Sequence, residues 1–398
     1  MQSKQKKNQI LKDFITNIIA AVIPIALLQV VIFPQLAKIK GEEVYGFIVT
    51  IISVMTLFSD SYGNVLNNVR LLQDDKYVKK GDFNYIIVVG TAFNLIAVLC
   101  GCIYYGTDTR SIIGVLVAST LILLRAYYIV AFRLILSYKN ILINNIILAT
   151  GYFLGFVVFI KMDCWSIIYI FGNAFSLIHL YLKSRLMREP VKKTILFKET
   201  FGKFSILYIA DFLKTFITYA DKLLIYPILG AQAVAYYYAA SVMGKMMSMG
   251  ITPVSSVILS YVVKEKKLHK RTINKILSLL ALLSLIGFVI AYLAGRILLG
   301  ILYTAWYEMT IILLPWTVLA ALLGGVSSVI QPFILKFKSE FYQIAINILH
   351  VVIYVASSII LSKKYGLLGF CIGYCITMGI KLIINLALIK SIGRESEE

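Results

Sequence analysis

The chain is short of negative charge. Its 398 residues hold 19 Asp and Glu against 39 Lys and Arg, a formal net charge of +20. In a soluble protein such a surplus points to nucleic acid. Here the basic residues lie mostly in loops between apolar runs, where membrane topology accounts for them, so a nucleic-acid partner is set aside. Cysteine is scarce as well, with five residues: Cys100, Cys102, Cys164, Cys371 and Cys375. Nearly all sit in apolar runs and read as small buried hydrophobes; Cys371 and Cys375, four apart, can share one helix face. No Cys/His spacing suggests a metal ion, and no cofactor is implied.

Enzyme signatures are missing too. The three histidines, His179, His269 and His350, have no Ser or Cys at a meaningful spacing. There is no Walker A sequence, nucleophile elbow or Gly-rich nucleotide loop. The sequence therefore reads as a non-enzyme.

Apolar residues are what the chain has in excess. They make up 60% of it, and mean hydropathy is +0.86. Soluble domains hold about 45–50%. About 20 apolar residues cross a bilayer, which predicts spans near 13–37, 44–68, 83–105, 111–132, 140–160 and 164–182. A second set follows near 204–229, 232–261, 274–300, 307–335, 341–361 and 366–389. The first run, after Lys4, Lys6, Lys7 and Lys12, is too long for a signal peptide and reads as a retained span. The fold class predicted is an all-α integral membrane protein with twelve transmembrane helices.

Twenty-seven Lys and Arg fall on one side of this topology and seven on the other, with five inside spans. That bias places both termini and the long loops in the cytoplasm. The longest loop, 183–203, is basic and divides the chain into a six-helix lobe 1–182 and a second lobe 204–398. The halves echo each other. VVIFPQL (residues 30–36) ends span 1 and LLIYPIL (residues 223–229) ends span 7; both precede an aromatic-bearing helix start. Duplicated six-helix lobes around a central cavity are a recurring transporter plan.

Six of the seven prolines lie in spans: Pro24, Pro34, Pro227, Pro253, Pro315 and Pro332. They read as fixed kinks or as hinges for alternating access. Tyr236, Tyr237 and Tyr238 read as an interfacial belt, with stacking on sugar rings as the other reading.

Charges inside spans are costly, roughly 2.5–3.5 kcal/mol each, and mark function by default. Span 7 carries Asp211, Lys214, Asp221 and Lys222. Asp211, Lys214, Thr218 and Asp221 fall at i, i+3, i+7 and i+10, one helical face. Arg125, Lys245 and Lys381 are further cations, and Asp60 is the remaining acid, on a polar stripe with Gly63 and Asn67. Arg70 and Arg133 lie at the ends of spans 2 and 4. Even with every acid paired, two positive charges remain, which suits an anionic ligand. Arg70, Arg125, Lys214, Lys222 and Lys245 are the predicted substrate-binding cations. Asp60, Asp211 and Asp221 are predicted to couple an ion or to pair with those cations.

The stretch PQLAKIKGEEVYGFIVTIISVMTLFSDSYGNVLNNVR (residues 34–70) resembles the opening of polysaccharide biosynthesis proteins. These are the O-antigen and capsule-type lipid-linked oligosaccharide flippases of the multidrug/oligosaccharidyl-lipid/polysaccharide exporter superfamily. The matching positions are Gly41, Glu42, Glu43, Tyr45, Gly46, Asp60, Gly63 and Arg70. YADKLLIYPILGAQAVAYYYAASVMGKM (residues 219–246) is similar to the family's seventh-helix pattern through Asp221, Gly230, Tyr236 and Ala239, with Lys222 where Arg is usual. The resemblance implies a bacterial cytoplasmic (inner) membrane protein that moves polyprenyl-pyrophosphate-linked glycans outward. Its partners would be that glycan, the lipid bilayer, and the glycan polymerase and glycosyltransferases of the same pathway. A multidrug or cation antiporter of the superfamily is the alternative, and a membrane glycan polymerase or acyltransferase a more distant one.

Overall fold

The computed structural model describes residues 16–73, 81–262, 270–338 and 340–395. The basic N-terminal residues, residues 74–80 and 263–269, residue 339 and the last three residues lie outside them. Nine helices among the described residues are long and apolar enough to cross a membrane. Three of these run to 58, 51 and 48 residues, more than twice the length one crossing needs. Each breaks at a glycine with positive φ: Gly41 (φ 72°), Gly230 (φ 85°) and Gly366 (φ 60°). Counting the breaks, the helices number twelve.

They are α1 (residues 16–40), α2 (42–73), α3 (Asp82–Tyr104), α4 (Thr109–Tyr128, continued by a turn at Val130–Leu134), α5 (Tyr138–Met162) and α6 (Ser166–Lys183). The second set is α7 (residues 197–229), α8 (231–262), α9 (Lys270–Leu302), α10 (Leu314–Phe337), α11 (340–365) and α12 (367–395).

The breaks fall at glycines, not at the prolines. No Cβ placed on Gly41 or Gly230 would meet another atom within 4 Å, so the backbone conformation itself selects glycine there. The two breaks share one conformation, ψ being 173° and 176°. They follow the two sequences that echo each other. Between Pro24 and Pro34 the chain relaxes into a π-helical stretch, Leu27–Ile32, as expected where proline withholds an N–H. The span predicted at 307–335 starts later: Tyr307–Ile311 is a separate short helix, and α10 begins at Leu314. Pro315 is the reason, since its ring opens a helix but cannot continue one.

The chain forms two compact units, residues 1–33 with 50–223, and residues 34–49 with 224–398. This division runs differently from one placed at the 183–203 loop. The first part of α7 belongs to the first unit because it carries an aromatic ladder. Phe204, Tyr208 and Phe212 recur every four residues; Phe204 lies 4.7 Å and Tyr208 5.3 Å from the Tyr62 ring, and Phe212 lies 5.5 Å from Phe58.

In the first unit, α5 and α6 touch backbone to backbone. A Cβ on Gly151 would stand 2.7 Å from Gly172 Cα, and one on Gly155 2.8 Å from Ile168 Cα. Small residues four apart permit such approach inside a bilayer. The 183–203 loop is clipped onto this unit. Arg70 donates from Nη1 and Nη2 to the two carboxylate oxygens of Glu189 at 2.8 and 2.9 Å. Asn84 donates to the Glu189 carbonyl at 2.8 Å, and buried Asp82 accepts from the Thr194 backbone and hydroxyl. Breaking a buried pair from one side strands a charge at about 3–5 kcal/mol. Glu189→Ala should therefore lower the thermal midpoint of the purified protein strongly, and Arg70→Met/Glu189→Ala less so. Equal losses would mean the pair is not coupled.

In the second unit, Tyr45 is fully buried with its ring 5.6 Å from Trp306 and 6.0 Å from Tyr238. Tyr237 is 2% exposed, its ring 5.3 Å from Phe370. The belt reading of Tyr236–Tyr238 is therefore corrected for Tyr237 and Tyr238: they are core residues, turned inward by the glycine-tight start of α8. Cys371 and Cys375 are buried, and the Cys375 thiol donates to the Trp316 carbonyl at 2.9 Å.

Candidate substrate site

The polar residues of the first unit converge around Arg125 of α4. This side chain is half-buried. Its Nε donates to Ser176 Oγ of α6 at 3.1 Å, and its Nη2 to Asn145 Oδ1 of α5 at 2.5 Å. Nη1 donates to no group among the described residues. Ser176 in turn donates to Asn144 Oδ1 at 2.7 Å, and Asn144 Nδ2 donates to the Ser176 carbonyl at 3.0 Å. This network fixes the plane of the guanidinium while leaving one of its edges open.

Asp60 of α2 is also half-buried and lies within electrostatic reach of Arg125. Tyr152, Tyr169 and Tyr219 lie within electrostatic reach of the same carboxylate, with Tyr152 and Tyr169 rings 5.6 Å apart. Tyr219 also senses Asp221, so the cluster reaches α7. The result is one cation with a free donor edge, one carboxylate, and three phenols from separate helices. Such a set can receive an anionic oxygen and stack against a ring.

The other predicted residues are distributed more widely. Lys222 and Asp221 form a buried ion pair with each other. Asp211 is half-buried and accepts from Thr215 Oγ1 at 3.4 Å, whereas Lys214 and Thr218 are exposed. The helical face read from spacing thus splits, its Asp221 end turned inward. Arg70 has its fork filled by Glu189 and a further bond to the Tyr127 hydroxyl at 3.0 Å. The α2 stripe beyond Asp60 faces α4: a Cβ on Gly63 would stand 2.6 Å from the Leu123 carbonyl, and Asn67 donates to the Ala126 carbonyl at 3.0 Å. Arg133 donates to Asn67 Oδ1 at 2.6 Å. Lys245 lies in the second unit with its ammonium 3.4 Å from the centre of the Tyr238 ring, a cation–π contact.

The sequence reading missed Asn144, Asn145, Ser176 and the three tyrosines. Its signal was present: adjacent asparagines in an otherwise apolar span are unusual enough to mark a polar contact.

No protein-family model and no curated relative matches the chain. Solved structures do match, over nearly the whole length. Lipid II flippase MurJ, in an inward closed conformation, gives a TM-score of 0.70 at 14% identity, covering 96% of this chain and 89% of that one. The eukaryotic MATE transporter AtDTX14 gives 0.60 at 13% identity over 98% of each chain. An inward-facing multidrug resistance MATE family transporter of the MOP superfamily gives 0.60 at 12%, covering 96% and 100%. At these identities the likeness is one of fold. The chain is an all-α, multi-pass membrane protein with the twelve-helix fold of these transporters.

Proposed function

We propose that the protein is a flippase of the multidrug/oligosaccharidyl-lipid/polysaccharide exporter superfamily, moving polyprenyl-pyrophosphate-linked glycans across the bacterial cytoplasmic membrane. The supporting observation is the guanidinium of Arg125, held in plane by Asn145 and Ser176 with Nη1 unoccupied. A fork with a free edge suits a diphosphate oxygen, and the flanking tyrosines suit a sugar ring. In this reading Asp60 balances Arg125 between cargoes, and cargo displaces that balance. Lys214 meets the head group from the exposed side of α7. Arg70 shapes the site through the Glu189 clip instead of touching cargo. Transport runs by alternating access of two six-helix lobes, and the lipid tail stays in the bilayer. Membrane potential helps drive a charged head group, at about 2.3 kcal/mol per charge per 100 mV.

Deleting the gene should leave lipid-linked repeat units on the cytoplasmic face of the membrane and deplete surface glycan. Lys214→Ala should lower export without loss of expression, and unchanged surface glycan would remove Lys214 from the site. The fold shared with the MATE transporters favours a second reading, a cation or drug antiporter using Asp60 and Asp211. A drug-sensitivity phenotype on deletion, with glycan unaffected, would establish that reading over the first.

A further inference from the structure

The hydrogen bonds that begin at Arg125 do not end at Asn144. Asn144 Nδ2 also stands 3.1 Å from Nδ1 of His179, which lies one turn beyond Ser176 on α6. The donor and acceptor chemistry of the groups fixes the direction of each bond. A guanidinium only donates, so Ser176 Oγ accepts from Arg125 Nε and gives its own proton to Asn144 Oδ1. The Ser176 carbonyl only accepts, so the Asn144 atom facing it is the amide nitrogen. The second proton of that nitrogen serves His179. Nδ1 therefore carries the lone pair and the ring proton sits on Nε2. His179 is half-buried. The turn after α4 sets the Phe132 ring 5.6 Å away, α5 presents the uncharged Asn144 amide, and the charged group acting on the imidazole is Lys183 of its own helix. All of these residues belong to the first unit.

We propose that His179 is a positioning residue for the Arg125 guanidinium. Its neutral ring holds the Asn144 amide in the orientation that seats Ser176 against Arg125 Nε, and protonation releases that hold. A proton added at Nδ1 sets two donors face to face. Relief requires the amide to turn over. That brings Oδ1 against the Ser176 carbonyl and the NH2 group against Ser176 Oγ, so the hydroxyl loses its acceptor. The clamp on Nε loosens while Arg125 keeps its charge. The proposal rests on Arg125 as the cargo-binding group. It makes that binding depend on proton activity through a residue that does not touch cargo.

The test uses the full chain labelled with ¹⁵N in histidine and arginine, in micelles, and the same protein in liposomes carrying a polyprenyl-pyrophosphate oligosaccharide. Near neutral pH the His179 ring, identified by its loss in His179→Asn, should show a bare Nδ1 and a protonated Nε2. Asn144→Leu should let both tautomers appear. On acidification from about pH 7.5 to about pH 5 the Arg125 Nε–H resonance, identified by its loss in Arg125→Lys, should move in the wild type. It should hold still in His179→Asn, whose Oδ1 can accept from Asn144 but does not titrate. In liposomes, export by the wild type should fall over the same range. His179→Leu should lower export throughout by roughly two- to tenfold, the worth of one neutral hydrogen bond. His179→Asn should regain most of that loss with a flat pH profile. Should His179→Leu not fold, the comparison of wild type with His179→Asn carries the test. A proton on Nδ1 near neutral pH, an unchanged single tautomer in Asn144→Leu, or an Arg125 resonance that moves alike in wild type and His179→Asn would overturn the proposal. So would a His179→Asn export profile as steep as that of the wild type. If the wild type exports no glycan at any pH, the cargo reading fails, and the two resonances alone decide the role of His179.

Discussion

Replacing Arg125 with Ala should abolish glycan export and also destabilise the protein. Two effects act together. Cargo loses its charge-assisted donors, worth about 1.5–3 kcal/mol per bond, or roughly ten- to a hundredfold in affinity. Asn145 and Ser176 lose a shared hydrogen-bond partner, and the half-buried Asp60 loses the positive charge within its electrostatic reach. The double variant Arg125→Ala/Asp60→Asn separates these effects. It should recover much of the thermal stability, because no lone carboxylate remains, yet stay inactive. Recovery of export together with stability would make Arg125 a structural ion-pair partner only. Arg125→Lys should keep the charge but not the fork, and export should fall in between.

Gly46→Ala should prevent accumulation of folded protein. A Cβ on Gly46 would stand 1.8 Å from the Ala231 carbonyl oxygen and 3.2 Å from the Ala235 nitrogen. That oxygen is backbone at the start of α8, so no side-chain rotation relieves the overlap. Both residues belong to the second unit, and separating them would also open the cluster of Tyr45, Tyr238 and Trp306. The expected loss exceeds about 4 kcal/mol, the range reserved for severe core disruption. Gly41→Ala is the informative comparison. Its Cβ meets nothing, so only the positive-φ strain applies, about 1–3 kcal/mol. Size-exclusion profiles and thermal midpoints should rank wild type above Gly41→Ala, with Gly46→Ala aggregated. A folded, monodisperse Gly46→Ala would contradict the close approach.

Much of the architecture was legible because membrane spans announce themselves by length and hydropathy. Twelve spans and the basic loop at 183–203 follow from those alone. The start of α10 was misplaced, since Pro315 reads in sequence as one more proline inside a span. Prolines also drew attention away from Gly41 and Gly230, whose importance lies in backbone sign, which composition does not display. Of the charges, Asp221 and Lys222 were readable as partners because they are adjacent. The pairing of Arg70 with Glu189 was not, because the two are separated by 119 residues and one lies in a loop. The spacing also did not show where each cation goes: Lys222 pairs with Asp221, Arg125 lies within electrostatic reach of Asp60, and Lys245 stacks on the Tyr238 ring in the second unit.

The central claim is that a cation at Arg125 receives an anionic, lipid-linked glycan for transport. The most direct measurement is translocation of a polyprenyl-pyrophosphate oligosaccharide by purified protein in liposomes, read by accessibility of the glycan to an impermeant lectin or hydrolase. Wild-type protein should expose the glycan on the opposite leaflet, and Arg125→Ala/Asp60→Asn, folded and equally reconstituted, should not. Equal translocation by the two proteins, or none by the wild type with a membrane potential imposed, would contradict the account.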